Sequence, residues 1–432
     1  MTVDILCKVV DNLGDIGFVY RLARALSELP EAPRLRLIVD DLASFSLLCP
    51  AVDPSRSLQT VEGWLVARWD DPGEEALRRY RDERPRMVLE CYACGRPEWL
   101  ESILFDESDP VPRHVINLEY LTAEPWARDF HRLPSLTRSP LVRKAVFMPG
   151  LEPGTGGLLI DNVFSALLDS CATDDGRLSI RRAALDSLEA IGESIPPEKC
   201  AIDKTPDAQS LASAFWFLVF SYEHDFSGIV ADMADFNARK PILALVAAGR
   251  SSVPFLEAWA RAGRPFPVFP LPLVPQPLWD RLLVASDFAI VRGEESFARA
   301  ILAGNPFLWQ CYPFAETVGA EADSTLPVTQ ISPGGQLPKV HAFLDRMQAF
   351  LSPQDFAAYD RLTRAFNGEA LAEPERGDLL AVLRSLEKPV PPDSGEFSPK
   401  NGLAAGFRAW SREVRNLGNL AANLMTFMRD LG

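Results

Sequence analysis

Short apolar runs rich in Val, Ile, Leu and Phe alternate along this chain with stretches whose apolar positions return every three or four residues, the pattern of strands interleaved with helices. In the first part, strands are expected at residues 4–10, 34–39, 86–90 and 114–117, with one helix running to about residue 29 and a short one at 41–48. From residue 179 a second series follows, with helices at 179–191, 229–237, 253–262, 278–285 and 294–303. Strands at 214–220, 241–247, 266–271, 287–291 and 306–309 lie between and after them. Alternation of this kind favours parallel sheets with helices on both faces. Pro and Gly crowd residues 148–157, which marks a crossing loop between the two series. Residues 388–401 are linker-like, and 403–431 reads as one amphipathic helix carrying Trp410, Leu417, Leu420, Leu424 and Phe427, suited to crossing back onto the first domain.

A length of 432 residues exceeds one ordinary core and suits two α/β domains, residues 1–165 completed by the helix 403–432, and residues 166–400. With 47% hydrophobic residues the chain is expected to be globular and soluble. Lys and Arg number 44 against 59 Asp and Glu, a net charge of -15, which argues against sequence-independent nucleic-acid binding and favours a partner presenting a local basic residue. Seven cysteines (Cys7, Cys49, Cys91, Cys94, Cys171, Cys200, Cys311) form no spaced framework, which points to reduced thiols and a cytosolic compartment. No basic leader and no apolar stretch of bilayer-spanning length is read in the chain, so no membrane partner is expected.

Two strand-turn-helix junctions carry the candidate chemistry. In the first, Asp11-Asn12-Leu13-Gly14-Asp15-Ile16-Gly17 lacks the glycine spacing of a nicotinamide fingerprint, yet it sets two carboxylates four residues apart at the strand edge where open α/β sheets bind ligands. The alternative makes Asp15 a helix N-cap and Asp11 an ordinary loop acid. In the second, Arg292-Gly293-Glu294-Glu295-Ser296 joins an apolar strand to a helix start. Arg292 there suits a charge-assisted contact to a pyrophosphate, with Ser296 adding a hydroxyl and the helix its free N-H groups. Glu294 and Glu295 also suit the helix dipole. Phe215, Trp216 and Phe217 read as core, whereas Tyr222 falls past the apolar run, at the ligand edge. Two such junctions suggest two domains facing one cleft. Cys91-Tyr-Ala-Cys94 has no second pair at zinc spacing, and the four histidines (His114, His131, His224, His341) are scattered, so no metal site is expected. A GxSxG elbow and a Walker loop are likewise not found.

These junctions belong to a longer series of segments: Val9-Val-Asp-Asn-Leu-Gly-Asp-Ile-Gly17, Ile116-Asn-Leu-Glu-Tyr-Leu-Thr-Ala-Glu124, Met148-Pro-Gly150 with Thr155-Gly-Gly-Leu-Leu159, and Phe220-Ser-Tyr-Glu223. Leu271-Pro-Leu-Val-Pro-Gln276 with Asp280-Arg-Leu-Leu283, Arg292-Gly-Glu-Glu-Ser-Phe297 and Trp309-Gln-Cys-Tyr-Pro313 complete it. In this order the series resembles the bacterial protein-arginine rhamnosyltransferases that glycosylate translation elongation factor P. The resemblance implies a GT-B fold of two Rossmann-like domains. It implies metal-independent, inverting transfer of rhamnose from dTDP-β-L-rhamnose to one arginine of elongation factor P, which activates that factor for relief of ribosome stalling, with no cofactor beyond the sugar donor. Carried onto matching positions, Asp15 is the general base, Asp11 its neighbour and Glu294 a second catalytic acid. The donor site takes Asn12, Gly17, Phe220, Tyr222, Leu273, Gln276, Arg292, Glu295 and Ser296, and Asn117, Glu119, Tyr120 and Glu124 are candidates on the acceptor side. The chain departs from the family pattern at Leu13 (usually aromatic), Leu151 (usually Phe), Glu295 (usually Asp) and Leu273 (usually a base-stacking Phe). These departures keep open a GT-B transferase that uses another nucleotide sugar or acceptor.

Overall fold

A computed structural model of the chain describes residues 1–10, 13–192, 208–312, 337–369, 377–386 and 402–431. Asp11, Asn12, Cys200 and the linker-like stretch 388–401 lie outside the described residues. The chain divides into two compact units, Met1–Ala166 with Val414–Gly432, and Leu167–Glu413.

The first unit is built on eight strands: β1 (Thr2–Cys7), β2 (Arg34–Val39), β3 (Leu58–Val61), β4 (Trp64–Arg68), β5 (Met87–Cys91), β6 (Arg113–Leu118), β7 (Pro134–Ser135) and β8 (Val142–Phe147). Their order across the sheet is β3-β4-β2-β1-β5-β6-β8-β7. The six strands from β4 to β8 run parallel, while β3 and β7 pair antiparallel at the two edges. The period of two along β1 sends Val3, Ile5 and Cys7 to one face, under the helices Gly14–Ser27 and Leu420–Leu431, and Leu6 to the other, with Tyr80 and Leu100. Asp4 also points inward, fully buried, and its carboxylate accepts two hydrogen bonds from Arg36, its partner in the β1–β2 register, at 2.6 and 2.7 Å. The Arg36 guanidinium lies over the Tyr80 ring at 4.1 Å. Burial pushes the Asp4 carboxyl above its ordinary value even against the pull of Arg36.

The second unit holds a five-stranded, all-parallel sheet: β9 (Phe215–Val219), β10 (Ile242–Ala247), β11 (Val268–Leu271), β12 (Phe288–Arg292) and β13 (Phe307–Gln310), in the order β11-β10-β9-β12-β13. Each strand expected here forms within two residues of its expected bounds. Three further helices, Leu337–Gln348, Pro353–Phe366 and Asp378–Ser385, follow β13.

Three expectations are corrected. The first strand stops at Cys7 rather than reaching residue 10, because the chain leaves the sheet there: the Val9 N-H donates to the Asp40 carboxylate at 2.9 Å and the Val10 N-H to Asp15 at 2.8 Å. The β3–β4 hairpin was not anticipated; it turns at Glu62 (φ 50°) and Gly63 (φ 85°), both left-handed, as a two-residue hairpin loop requires. The single helix expected over 403–431 is two helices, Leu403–Arg415 and Leu420–Leu431, broken at Gly418 (φ 94°). The first of these belongs mainly to the second unit, where Phe407 packs edge-on against Phe307 and Tyr359 and Trp410 meets Phe343. Only the second completes the first unit.

Candidate active site

In the first unit the candidate residues lie at the C-terminal ends of β1, β5 and β6, neighbours in the sheet. Asp15 is the second residue of the helix Gly14–Ser27 and is buried. The N-cap of this helix is Leu13, so Asp15 is not the cap; its carboxylate instead reaches back to the Val10 N-H and closes the strand-to-helix turn. A carboxylate in the first turn is also favoured by the helix dipole. Gly17, expected at the donor, is buried within this helix with its N-H donating to the Leu13 carbonyl at 2.9 Å. Burial pushes the Cys7 and Cys91 thiols well above their ordinary range, the Asp15 charge adding to the effect, and raises Cys94 to about 12. The CxxC pair is thus held as neutral thiols.

The loop after β5 is bent through Tyr92 (φ 60°) and Ala93 (φ 52°), two non-glycine residues in left-handed backbone. Such residues cost about 1–3 kcal/mol each and persist where the surroundings over-determine them. Here the Tyr92 N-H donates to the Leu118 carbonyl at 2.7 Å, the Ala93 N-H donates to the Asn117 side chain at 2.9 Å, and the Tyr92 ring stacks on Tyr120 at 4.0 Å. Asn117 is buried and also donates to Glu119. Phe18, one turn along the helix from Asp15, packs on Tyr92 at 5.4 Å. Asn117, Glu119 and Tyr120 are therefore brought together beside Tyr92, which the sequence reading missed. Glu124 accepts from the Thr122 hydroxyl at 2.8 Å a few residues beyond them.

In the second unit the C-terminal ends of β9 and β12 lie side by side. The Arg292 guanidinium stands 4.6 Å from the ring centroids of both Phe220 and Tyr222, a cation held by two aromatic faces. Tyr222 is almost fully buried and its N-H donates to Gln310 at 2.8 Å, which fixes it at the strand end. Gly293 takes φ 63°, so a side chain there would be strained, and its carbonyl accepts from the Trp309 indole at 3.0 Å. That turn aims the first N-H groups of the helix Gly293–Ala303, with Arg292 at its N-cap, toward the sheet edge. Glu294 meets the Lys339 ammonium at 2.6 Å, and Glu295 meets Arg299 at 3.1 Å. Ser296 sits half-buried in the same first turn. Gln276 opens the helix Gln276–Ala285 after β11, and Trp279 of that helix packs on Phe220 at 5.1 Å, linking the Gln276 end to the Arg292 cluster. Leu273 precedes it with 53% of its surface exposed. Trp309, Gln310 and Lys339 were not assigned to the site from the sequence; the family segment Trp309-Gln-Cys-Tyr-Pro313 was a signal for the first two, and Lys339 had none. Among the described residues no group of three or more His, Cys, Asp or Glu side chains is placed to hold a metal ion, and no helix is long and apolar enough to cross a membrane.

Two α/β units, each built on a sheet of parallel strands with its polar candidates at the C-terminal strand ends, have the architecture of the GT-B class. A sequence profile described as elongation factor P (EF-P) rhamnosyltransferase EarP matches residues 3–429. The chain is 34% identical over 377 residues to a protein-arginine rhamnosyltransferase of Pseudomonas putida, covering 85% of this chain and 86% of that protein. It is 30% identical over 441 residues to the one from Pseudomonas aeruginosa, covering 99% and 98%. A solved structure on EarP-mediated arginine glycosylation of translation elongation factor EF-P aligns over 99% of both chains with a TM-score of 0.56 and 23% identity, which shows the shared fold. The chain belongs to the EarP family and is an enzyme of the protein-arginine rhamnosyltransferase type.

Proposed function

We propose that this enzyme transfers rhamnose from dTDP-β-L-rhamnose to one arginine of translation elongation factor P, with inversion and without a metal. The observation that carries the donor side is the Arg292 guanidinium held between Phe220 and Tyr222 at the start of a helix. A cation so fixed, with helix N-H groups beside it, is suited to the diphosphate that departs with the nucleotide. Tyr222, Gln276, Glu295 and Ser296 complete the donor side, and Asn12, Gly17 and Leu273 are carried with them from the family pattern.

The acceptor side follows from the chemistry of arginine. A guanidinium holds its proton far more tightly than a carboxylate does, so full deprotonation before attack is uphill by roughly 12 kcal/mol. The proton must leave late, after the carbon-nitrogen bond has begun to form. Asp15, supported by Asp11, orients the guanidinium, holds charge beside the attacking nitrogen and then accepts its proton. Glu294 is the second acid of the reaction. The attacking nitrogen displaces dTDP at the anomeric carbon in one step, so the bond to the diphosphate oxygen breaks on the side opposite attack. Glu119, Tyr120 and Glu124, with Asn117 fixing Glu119, give the basic acceptor an acidic and aromatic strand edge, in keeping with a net charge of -15. Such a reaction belongs to the cytoplasm.

One observation favours a second reading. Leu273 stands exposed where the family carries a base-stacking ring, and loss of a ring contact costs about 1 kcal/mol of nucleobase binding, so a different nucleotide sugar is the alternative. Incubation of enzyme, dTDP-β-L-rhamnose and elongation factor P in excess chelator, followed by NMR of the glycopeptide, tests the proposal. An α-rhamnosyl arginine is expected. A β-linked product, or loss of transfer restored only by a metal ion, would contradict it, and transfer from a UDP-sugar alone would favour the second reading.

A further inference from the structure

The acidic pair in the first turn of the helix Gly293–Ala303 poses an electrostatic conflict. Helix N-H groups and Arg292 favour an anion, yet Glu294 and Glu295 set two carboxylates beside it. Each carboxylate has a cation against it. Arg299, 1% exposed, reaches Glu295 from one turn along the same helix at 3.1 Å. Glu294 is met from elsewhere in the chain, by Lys339 of the helix Leu337–Gln348, with Nζ 2.6 Å from Oε1 and both side chains largely shielded, at 17% and 23% exposure. Lys339 stands in the first turn of its own helix, where the dipole disfavours a cation, so its placement is explained by its partner and not by its helix. Its charge is also felt by the Cys311 thiol just past β13, the strand beside β12 that ends in Arg292.

We infer that Lys339 is a positioning residue of the donor site, whose ammonium cancels the Glu294 charge that would otherwise repel the donor's diphosphate and holds that carboxylate in one orientation. The inference rests on the donor reading above and deepens it. Neutralising Lys339 alone removes the ammonium and leaves the Glu294 carboxylate beside the diphosphate. Neutralising both members removes the repulsion together with its remedy.

Calorimetric titration of the full chain with dTDP, for wild type, Lys339→Met, Lys339→Arg, Glu294→Gln and the double variant Lys339→Met/Glu294→Gln, tests this. Lys339→Met is expected to bind about tenfold more weakly, with the loss shrinking as salt rises. Lys339→Arg is expected to remain near wild type, and the double variant to return to within about threefold of it while transferring little sugar. A purely structural ion pair would also be relieved by Glu294→Gln, but it would give no salt-dependent loss of dTDP affinity in Lys339→Met. Wild-type affinity in Lys339→Met, or a double variant as weak as Lys339→Met, overturns the inference. A wild type that ignores dTDP contradicts the donor reading and with it this inference, whereas a wild type that binds dTDP with a flat cycle contradicts the inference alone.

Discussion

A guanidinium held between two aromatic faces is fixed before any ligand arrives, and Arg292 is held that way by Phe220 and Tyr222. Preorganised charge of this kind stabilises a leaving diphosphate with little reorganisation. Arg292→Ala is therefore expected to weaken dTDP binding about ten- to hundredfold, the worth of one or two charge-assisted hydrogen bonds; unchanged affinity by calorimetry would remove Arg292 from the donor site. Asp15→Asn keeps the size of the side chain and an oxygen for the Val10 N-H. It is expected to fold and bind dTDP as wild type does while transfer falls by a factor on the order of 10² to 10⁴, and near-normal initial rates would contradict the role given to Asp15. Arg292 and Tyr222 were legible in the sequence because the one ends an apolar strand and the other falls just past one. Lys339 was not, because its partner Glu294 lies 45 residues away in the chain and only folding joins them.

Among the elements, the segment from Gly156 to Ile160 is the dock for the last helix. Asn419 donates to the Ile160 carbonyl at 2.6 Å, Asn423 donates to the Gly156 carbonyl at 3.0 Å, and Leu158 bridges to Asn419. Gly157 (φ 75°) lies so close that an added Cβ would come within 2.8 Å of the Gly418 carbonyl oxygen. Gly157→Ala therefore combines left-handed strain with a backbone clash. We expect a loss of about 1–3 kcal/mol in urea unfolding, with early exposure of the Leu420–Leu431 helix to hydrogen exchange; a variant as stable as wild type would contradict this docking. The β1–β2 pair offers a second test. Arg36→Met strands the buried Asp4 carboxylate and is expected to cost about 3–5 kcal/mol by the same measurement, and a loss below about 1 kcal/mol would contradict the pairing of Asp4 with Arg36 as a stabilising contact. The parallel strands were legible from their apolar runs. The helix break was not, because the apolar spacing around Leu417 and Leu420 continues through Gly418, and only contacts distant in the chain decide where each half packs, the first on Phe307, Phe343 and Tyr359 and the last on the Gly156 to Ile160 segment.

For the molecule as a whole, part of the stability lost in acid follows from its buried and half-buried histidines. His131 accepts the Met148 N-H through Nδ1 at 3.1 Å, and burial holds it down at about 4, below its ordinary 6.5. Between those values the unfolded chain binds a proton that the folded one refuses. The contribution is whole above pH 6.5 and is lost as pH falls toward 4. Burial lowers His114 and His224 in the same direction. His131→Asn, which keeps an acceptor for Met148 but does not titrate, is expected to flatten part of the acid limb of stability against pH; an unchanged limb in urea unfolding from pH 7 to 4 would contradict this. The two α/β units, their strand orders and the family match over residues 3–429 together frame one claim, the transfer of rhamnose to a protein arginine. Intact mass spectrometry of elongation factor P after incubation with this enzyme and dTDP-β-L-rhamnose tests it most directly. A gain of one deoxyhexose that disappears when the acceptor arginine is replaced by lysine is expected; no gain from an enzyme that is folded and binds dTDP, or an equal gain on the lysine variant, would contradict rhamnosyl transfer to arginine.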